Sequence, residues 1–136
     1  MKEHDKFIKR CIELAQIALE NGESPVGSVL VIDGNIISEG IEKSKHSKDI
    51  TRHAEIVAIL NAVENSYDLS RATLYTNVEP CILCSYAIRH YRIKQVVFSK
   101  YSGELGGTQE PFNVLTTSIF KSWDTPPDVL FYKKGD

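Results

Sequence analysis

Two short segments, His53-Ala54-Glu55 and Pro80-Cys81-Ile82-Leu83-Cys84, constrain this chain more than anything else in it. Zinc takes imidazole nitrogen and thiolate sulfur readily, and a catalytic zinc site keeps three protein ligands and an open position for water. His53, Cys81 and Cys84 fill the three protein positions. Glu55 lies two residues from a ligand, so it can reach the open position and move protons without binding the metal. A water held there ionises at a pKa of about 7. Any fold that satisfies both segments must bring them together. The interval between them is long enough for a helix, a loop and a strand to do so.

The local pattern agrees. Thr51 is a good helix N-cap, and Ile56, Ile59, Leu60 and Val63 recur at helical spacing, so Arg52 to Val63 reads as a helix. Pro80 suits the start of a second helix running to about Tyr91. Cys81 and Cys84 are then i and i+3, on one face of its first turn. Two helix N-termini point at one metal, and their positive ends favour thiolate and hydroxide.

Taken singly, each segment has a plainer reading. His-x-Glu at a helix start is commonly a solvated first turn. Cys-x-x-Cys serves redox chemistry, structural zinc or ordinary packing, and the strand-like run Ala72 to Val78 before it fits a redox order. None of these readings uses both segments. A closed structural zinc site needs a fourth ligand. The one remaining cysteine, Cys11, falls on the apolar face Phe7, Cys11, Leu14, Ala15, Ala18 of the first helix, where packing is its role. His4, His46 and His90 lack ligand-like spacing and read as surface residues.

The 136 residues predict one domain, 1–136, with a core that needs no staples. Sixteen basic against eighteen acidic residues give no electrostatic argument for bulk nucleic-acid or membrane binding. Three cysteines, two assigned to metal, argue for a reducing compartment. Met1 to Arg10 lacks a signal peptide's apolar core, and no apolar run reaches membrane-spanning length. The expectation is a cytoplasmic, soluble protein with no membrane partner.

Along the chain, Glu3 to Glu20 reads as an amphipathic helix stopped at Asn21-Gly22. Val26 to Ile32 and Asn35 to Ile41 are strands joined by the hairpin signal Asp33-Gly34. A polar loop, Glu42 to Ile50, leads into the His53 helix. Then come the Ala72 to Val78 strand, the Cys81 helix and a strand over Lys94 to Ser99. This order predicts an α/β fold in three layers, α/β/α, with a central sheet and helices on both faces. Tyr101 to Thr108 is Gly-rich loop, Asn113 to Phe120 a short helix, and Val129 to Tyr132 a last short strand or helix.

The pattern H-x-E…P-C-x-x-C marks zinc deaminases of cytosine and adenine. By it the chain resembles the cytidine deaminase-like superfamily, in its branch of tRNA adenosine, guanine and cytosine deaminases. Pro25-Val26-Gly27 is similar to the family's segment lining the base pocket, and Thr73-Leu74-Tyr75-Thr76 into Glu79-Pro80-Cys81 looks like its strand-to-zinc crossing. The resemblance implies a mixed sheet of five strands, a homodimer, Pro25 and Val26 at the base, and backbone contacts to it around Ala54 and Glu79. Glu55 would carry the proton from the water to the ring nitrogen and then to the leaving amine. The chain departs from the family at Glu42, where relatives commonly carry a base-contacting Asn; an ionised Glu accepts hydrogen bonds and cannot donate them. It also lacks the basic C-terminal helix expected of a tRNA deaminase. It offers Phe112, Trp123, Phe131 and Tyr132 instead, with Trp123 a candidate cover for a flat ring.

The resemblance thus implies hydrolytic, zinc-dependent deamination of a small aminated heterocycle, a free nucleobase or nucleoside, with water as co-substrate. A tRNA adenosine deaminase is the first alternative, with Lys43, Lys45, His46, Lys48 and Arg52, and Arg89, His90, Arg92 and Lys94, as a phosphate-binding rim. A non-catalytic zinc-binding module is the second. Balanced overall charge favours the small substrate.

Overall fold

Period-two alternation along the strands sorts the side chains onto two faces of a sheet, and each face has its own core. In a computed structural model describing residues 2–133, β1 (Gly27–Ile32) turns Val29 and Val31 towards helix α1 (Lys2–Glu20). There they meet Phe7, Ile8, Cys11 and Leu14. Leu30 faces the other way, against Ala58, Ile59 and Ala62 of α3 (Ala54–Glu64) and Ile88 of α4 (Ile82–His90). Strands β3 (Thr73–Thr76) and β4 (Gln95–Phe98) repeat the pattern: Tyr75 and Val97 join the first core, Leu74 and Val96 the second. The result is the expected α/β/α sandwich. The termini of the expected 1–136 domain, Met1 and residues 134–136, lie outside the described residues.

The sheet has five strands in the order β2-β1-β3-β4-β5, with β2 at Asn35–Ile41 and β5 at Asp128–Phe131. It is mixed: β2, β1 and β3 pair antiparallel, while β3, β4 and β5 run parallel. Asp33 (φ 51°) and Gly34 (φ 77°) both take the left-handed conformation that a two-residue hairpin turn requires. Between β2 and α3 the polar loop holds a four-residue helix, α2 (Ser44–Ser47). Buried Glu23 accepts the backbone N–H groups of Lys45 and His46 and fixes this loop.

Two expectations change. Asn113 to Phe120 forms a single turn and no helix. The Arg89 guanidinium takes the carbonyls of Val114 (2.9 Å) and Thr117 (2.7 Å), which a growing helix needs for its own N–H groups. The last element, open between strand and helix in the sequence, is a strand because it pairs with β4.

Candidate metal and proton-transfer site

The first ligand of each segment, His53 and Cys81, sits one residue outside its helix, and Cys84 lies in the first turn of the second. α3 begins at Ala54 with His53 as its N-cap, and α4 begins at Ile82 with Cys81 as its N-cap. This corrects the expected helix starts at Arg52 and Pro80. Thr51 does not cap; its hydroxyl and N–H turn back to Asp49. An N-cap residue is extended (ψ 155° at His53, 179° at Cys81), so its side chain swings free of the helix wall. Neither side chain makes a capping hydrogen bond. Instead His53 Nδ1 lies 3.3 Å from Cys84 Sγ and 3.4 Å from Cys81 Sγ.

These separations suit zinc. Tetrahedral Zn–N and Zn–S bonds put neighbouring ligand atoms about 3.5 Å apart, and the three ligand atoms here all lie within 4.8 Å of one another. The proton balance points the same way. The hydrogen bond from Cys84, with His53 beside it, pushes the Cys81 thiol down to about 4. The same bond and burial hold Cys84 well above its ordinary value. Contact with Cys81 raises His53 to about 9. A divalent cation would take the place of the protons that these three groups share.

Glu55 is the second residue of α3, in its first turn, 4 % exposed, and burial pushes its pKa up to about 7. It is therefore suited to take and release a proton near neutral pH. Glu55 shares a hollow of about 220 Å³ with Ser24, Val26, Glu42, His53, Val78, Glu79, Cys81 and Ser102. That is below the roughly 300–1,000 Å³ of pockets for drug-sized ligands. It suits one flat ring.

Of the substrate contacts expected from the sequence, Val26, Glu42 and Glu79 line this hollow. Glu42 accepts the N–H of Ala54 (3.3 Å) and the hydroxyl of Ser44 (2.6 Å), and makes no ion pair among the described residues. The Ala54 N–H is thereby occupied, and the Glu79 N–H is bound to Lys100 O at 2.7 Å. Pro25 lines an adjoining hollow that shares Val26, Val78 and Ser102, and its carbonyl accepts from Asn77.

Trp123 lies elsewhere, which corrects its expected role as a ring cover. It packs edge-on against Tyr86 and Phe120, under the Arg89 guanidinium at 4.7 Å, and lines a separate apolar hollow. Arg89 is drawn inward by carbonyls, and the indole follows it. Ser24, Val78 and Ser102 were not singled out from the sequence; nothing in a lone serine or valine signals a pocket wall.

Residues 1–100 match the family model described as the cytidine and deoxycytidylate deaminase zinc-binding region. The chain is 41 % identical over 111 residues to a tRNA-specific adenosine deaminase of Aquifex aeolicus, covering 80 % of this chain and 74 % of that one. It is 43 % identical over 112 residues to the tRNA-specific adenosine deaminase of Haemophilus influenzae, covering 80 % and 65 %. Among solved structures, one from work on A-to-I editing by tRNA:A34 deaminases at the wobble position superposes with a TM-score of 0.83 at 30 % identity, over 93 % of this chain and 97 % of that one. A Bacillus subtilis guanine deaminase gives 0.68 at 40 % identity, over 72 % and 64 %.

Proposed function

Because the chain belongs to the cytidine and deoxycytidylate deaminase zinc-binding family, we propose that it is a hydrolytic deaminase of an adenosine in transfer RNA, converting it to inosine at the wobble position. The observation that carries the reaction is the meeting of buried Glu55 with His53, Cys81 and Cys84 around one ring-sized hollow. The substrate rests on the tRNA-specific relatives, which match about four-fifths of the chain. They support this alternative over the free nucleobase or nucleoside that overall charge favours.

Local charge supports it too. In the loop after β2, Arg52 pairs with Asp49 and His46 meets Glu23, while Lys43, Lys45 and Lys48 make no ion pair among the described residues. Lys43 follows Glu42 directly and lines a neighbouring hollow that shares Glu42, and Lys45 and Lys48 lie on the same loop. They are placed to hold phosphates beside a nucleotide whose base has been turned out of its stack.

In this reading His53, Cys81 and Cys84 hold zinc, which when bound supplies Lewis-acid activation of water at neutral pH. Glu55 takes a proton from the attacking water and delivers it to the ring nitrogen beside the amine-bearing carbon. A second proton passes by the same carboxyl to the amine, the C–N bond breaks, and ammonia leaves. Val26 offers the ring an apolar wall. The Glu79 carbonyl, unbonded among the described residues, is one backbone acceptor at the rim. A second copy of the chain and the cytoplasm complete the reading.

Glu42 favours a second reading. Its carboxylate accepts only, and the ring edges of adenine are acceptors apart from the amine that leaves, whereas guanine carries N–H donors. A free guanine-like ring would satisfy it.

Ammonia release from an anticodon stem-loop and from free guanine, cytosine and adenosine separates these readings. We expect deamination of the stem-loop that falls steeply with salt, as phosphate contacts dictate. Turnover of a free ring alone, insensitive to salt, would remove the tRNA reading.

A further inference from the structure

Glu79 carries a charge in a place where burial is costly. It is 2 % exposed and has no cationic partner among the described residues. Its Oε1 accepts the N–H (3.1 Å) and hydroxyl (3.4 Å) of Ser102. Its Oε2 accepts the N–H of Thr108 (3.0 Å), the Thr108 hydroxyl and Gln109 Nε2 (3.4 Å). Every donor comes from one segment, residues 102–109. A Cβ on Gly106 would overlap the Glu79 carboxyl group, so that glycine is the close approach that lets the loop fold over it.

The same segment wraps the start of α4. The Leu105 carbonyl accepts the N–H of Ile82 at 3.0 Å, Gly107 N–H donates to Pro80 O at 2.8 Å, and Cys81 bridges Gly106. A helix start leaves N–H groups that an N-cap side chain normally satisfies. Cys81 cannot do so, because its sulfur faces His53. The loop main chain caps α4 in its stead.

From this arrangement, and resting on the zinc-deaminase reading above, we propose that Glu79 is a positioning residue for the metal. Its carboxylate clamps the 102–109 loop onto the α4 N-terminus and so holds Cys81 and Cys84 at ligating distance. Ser102 at the rim of the hollow is carried by the same clamp.

Zinc release into a chromogenic chelator, measured well below the melting temperature, tests this without any substrate. Glu79→Ala and Glu79→Gln should both release zinc about 10–100-fold faster than the parent chain, the range seen when groups orienting metal ligands are lost. Glu79→Gln should resemble Glu79→Ala, since an amide nitrogen would face donors. Ile8→Ala, in the core on the far side of the sheet, serves as a stability control that lowers Tm and leaves release unchanged. Release from Glu79→Gln at the parent rate, or no faster than from Ile8→Ala, would overturn the proposal. If the Glu79 variants do not fold, Thr108→Val removes one donor to the clamp. Accelerated release from it supports the proposal, and parent-like release overturns it. A parent chain that binds no zinc would be a different result: it would remove the deaminase reading together with this one.

Discussion

The carboxylate of Glu42 accepts the backbone N–H of Ala54, the residue between His53 and Glu55, at 3.3 Å. His53 occupies the N-cap position and turns its imidazole to the cysteines, so the first N–H of α3 is satisfied from β2's end instead. Glu42→Ala should therefore lower stability by about 1 kcal/mol, the usual loss for a missing cap. Glu42→Gln keeps an acceptor and should retain most of that stability. If Glu42 also reads the substrate, Glu42→Gln should shift relative kcat/KM between rings with and without an N–H donor. Denaturant melts and a two-substrate competition check the two effects separately.

Replacing Glu55, the proposed proton carrier, leaves the scaffold alone. Glu55→Gln should fold and bind one zinc per chain, and should lose about 10²–10⁴-fold in kcat. Metal analysis beside ammonia release is the check. Parent-like turnover with full zinc would show that another group moves the proton.

Removing the metal exposes a pH dependence. Burial raises Glu55 to about 7, above its ordinary value near 4.5. The folded state therefore keeps this proton to higher pH than the unfolded state does. Its stabilising contribution is full below about pH 4.5 and is lost as pH rises through about 7. Metal-free protein should lose Tm across that window, and metal-free Glu55→Gln should lose less. Equal slopes in thermal melts would contradict the assignment.

Arg10 and Glu39 tie α1 to β2 through two hydrogen bonds of 2.7 and 3.0 Å. The guanidinium holds Glu39 below the usual carboxylate range. A depressed carboxyl stabilises above its unfolded pKa of about 4.5 and loses that contribution as pH falls below it. Both partners are about a third exposed, so screening keeps the effect small. Glu39→Gln should cost about 0.5–1 kcal/mol at pH 7 and progressively less as pH falls below about 4.5, by urea melts.

Gly40 lets β2 lie directly against the first turn of α3, where a Cβ would run into the backbone of Ala54 and Ala58. Gly40→Ala should cost about 1–3 kcal/mol through overpacking. Because Ala54 adjoins both His53 and Glu55, activity should fall further than stability alone explains. Tm and kcat measured on the same sample decide this.

The sequence made the ligand set and the strand–helix order legible, because each rests on residue type and spacing. Asp33-Gly34 announced its hairpin, since only left-handed φ values close a two-residue turn. What stayed hidden depends on partners far along the chain. Thr51 looked like a cap, but local bonds to Asp49 took its donors and left the position to His53. The turn at Asn113 looked helical until Arg89 claimed its carbonyls. Trp123 looked like a cover because aromatics suit rings, and its course was set by that same arginine. Net charge, a whole-chain average, concealed three lysines without ion pairs among the described residues, gathered on the loop that follows Glu42.

Arg89 gathers the oxygens of Val114, Thr117 and Asp124, which are all main-chain atoms. A guanidinium that binds carbonyls is indifferent to the side chains on those residues. The path of the C-terminal segment is thus insulated from its own sequence, and substitutions there can accumulate while the catalytic half stays unchanged. Likeness to the family model ends at residue 100, just before this segment. A single buried arginine thus fixes the course of a segment whose side chains can vary without rebuilding the zinc-binding half of the fold.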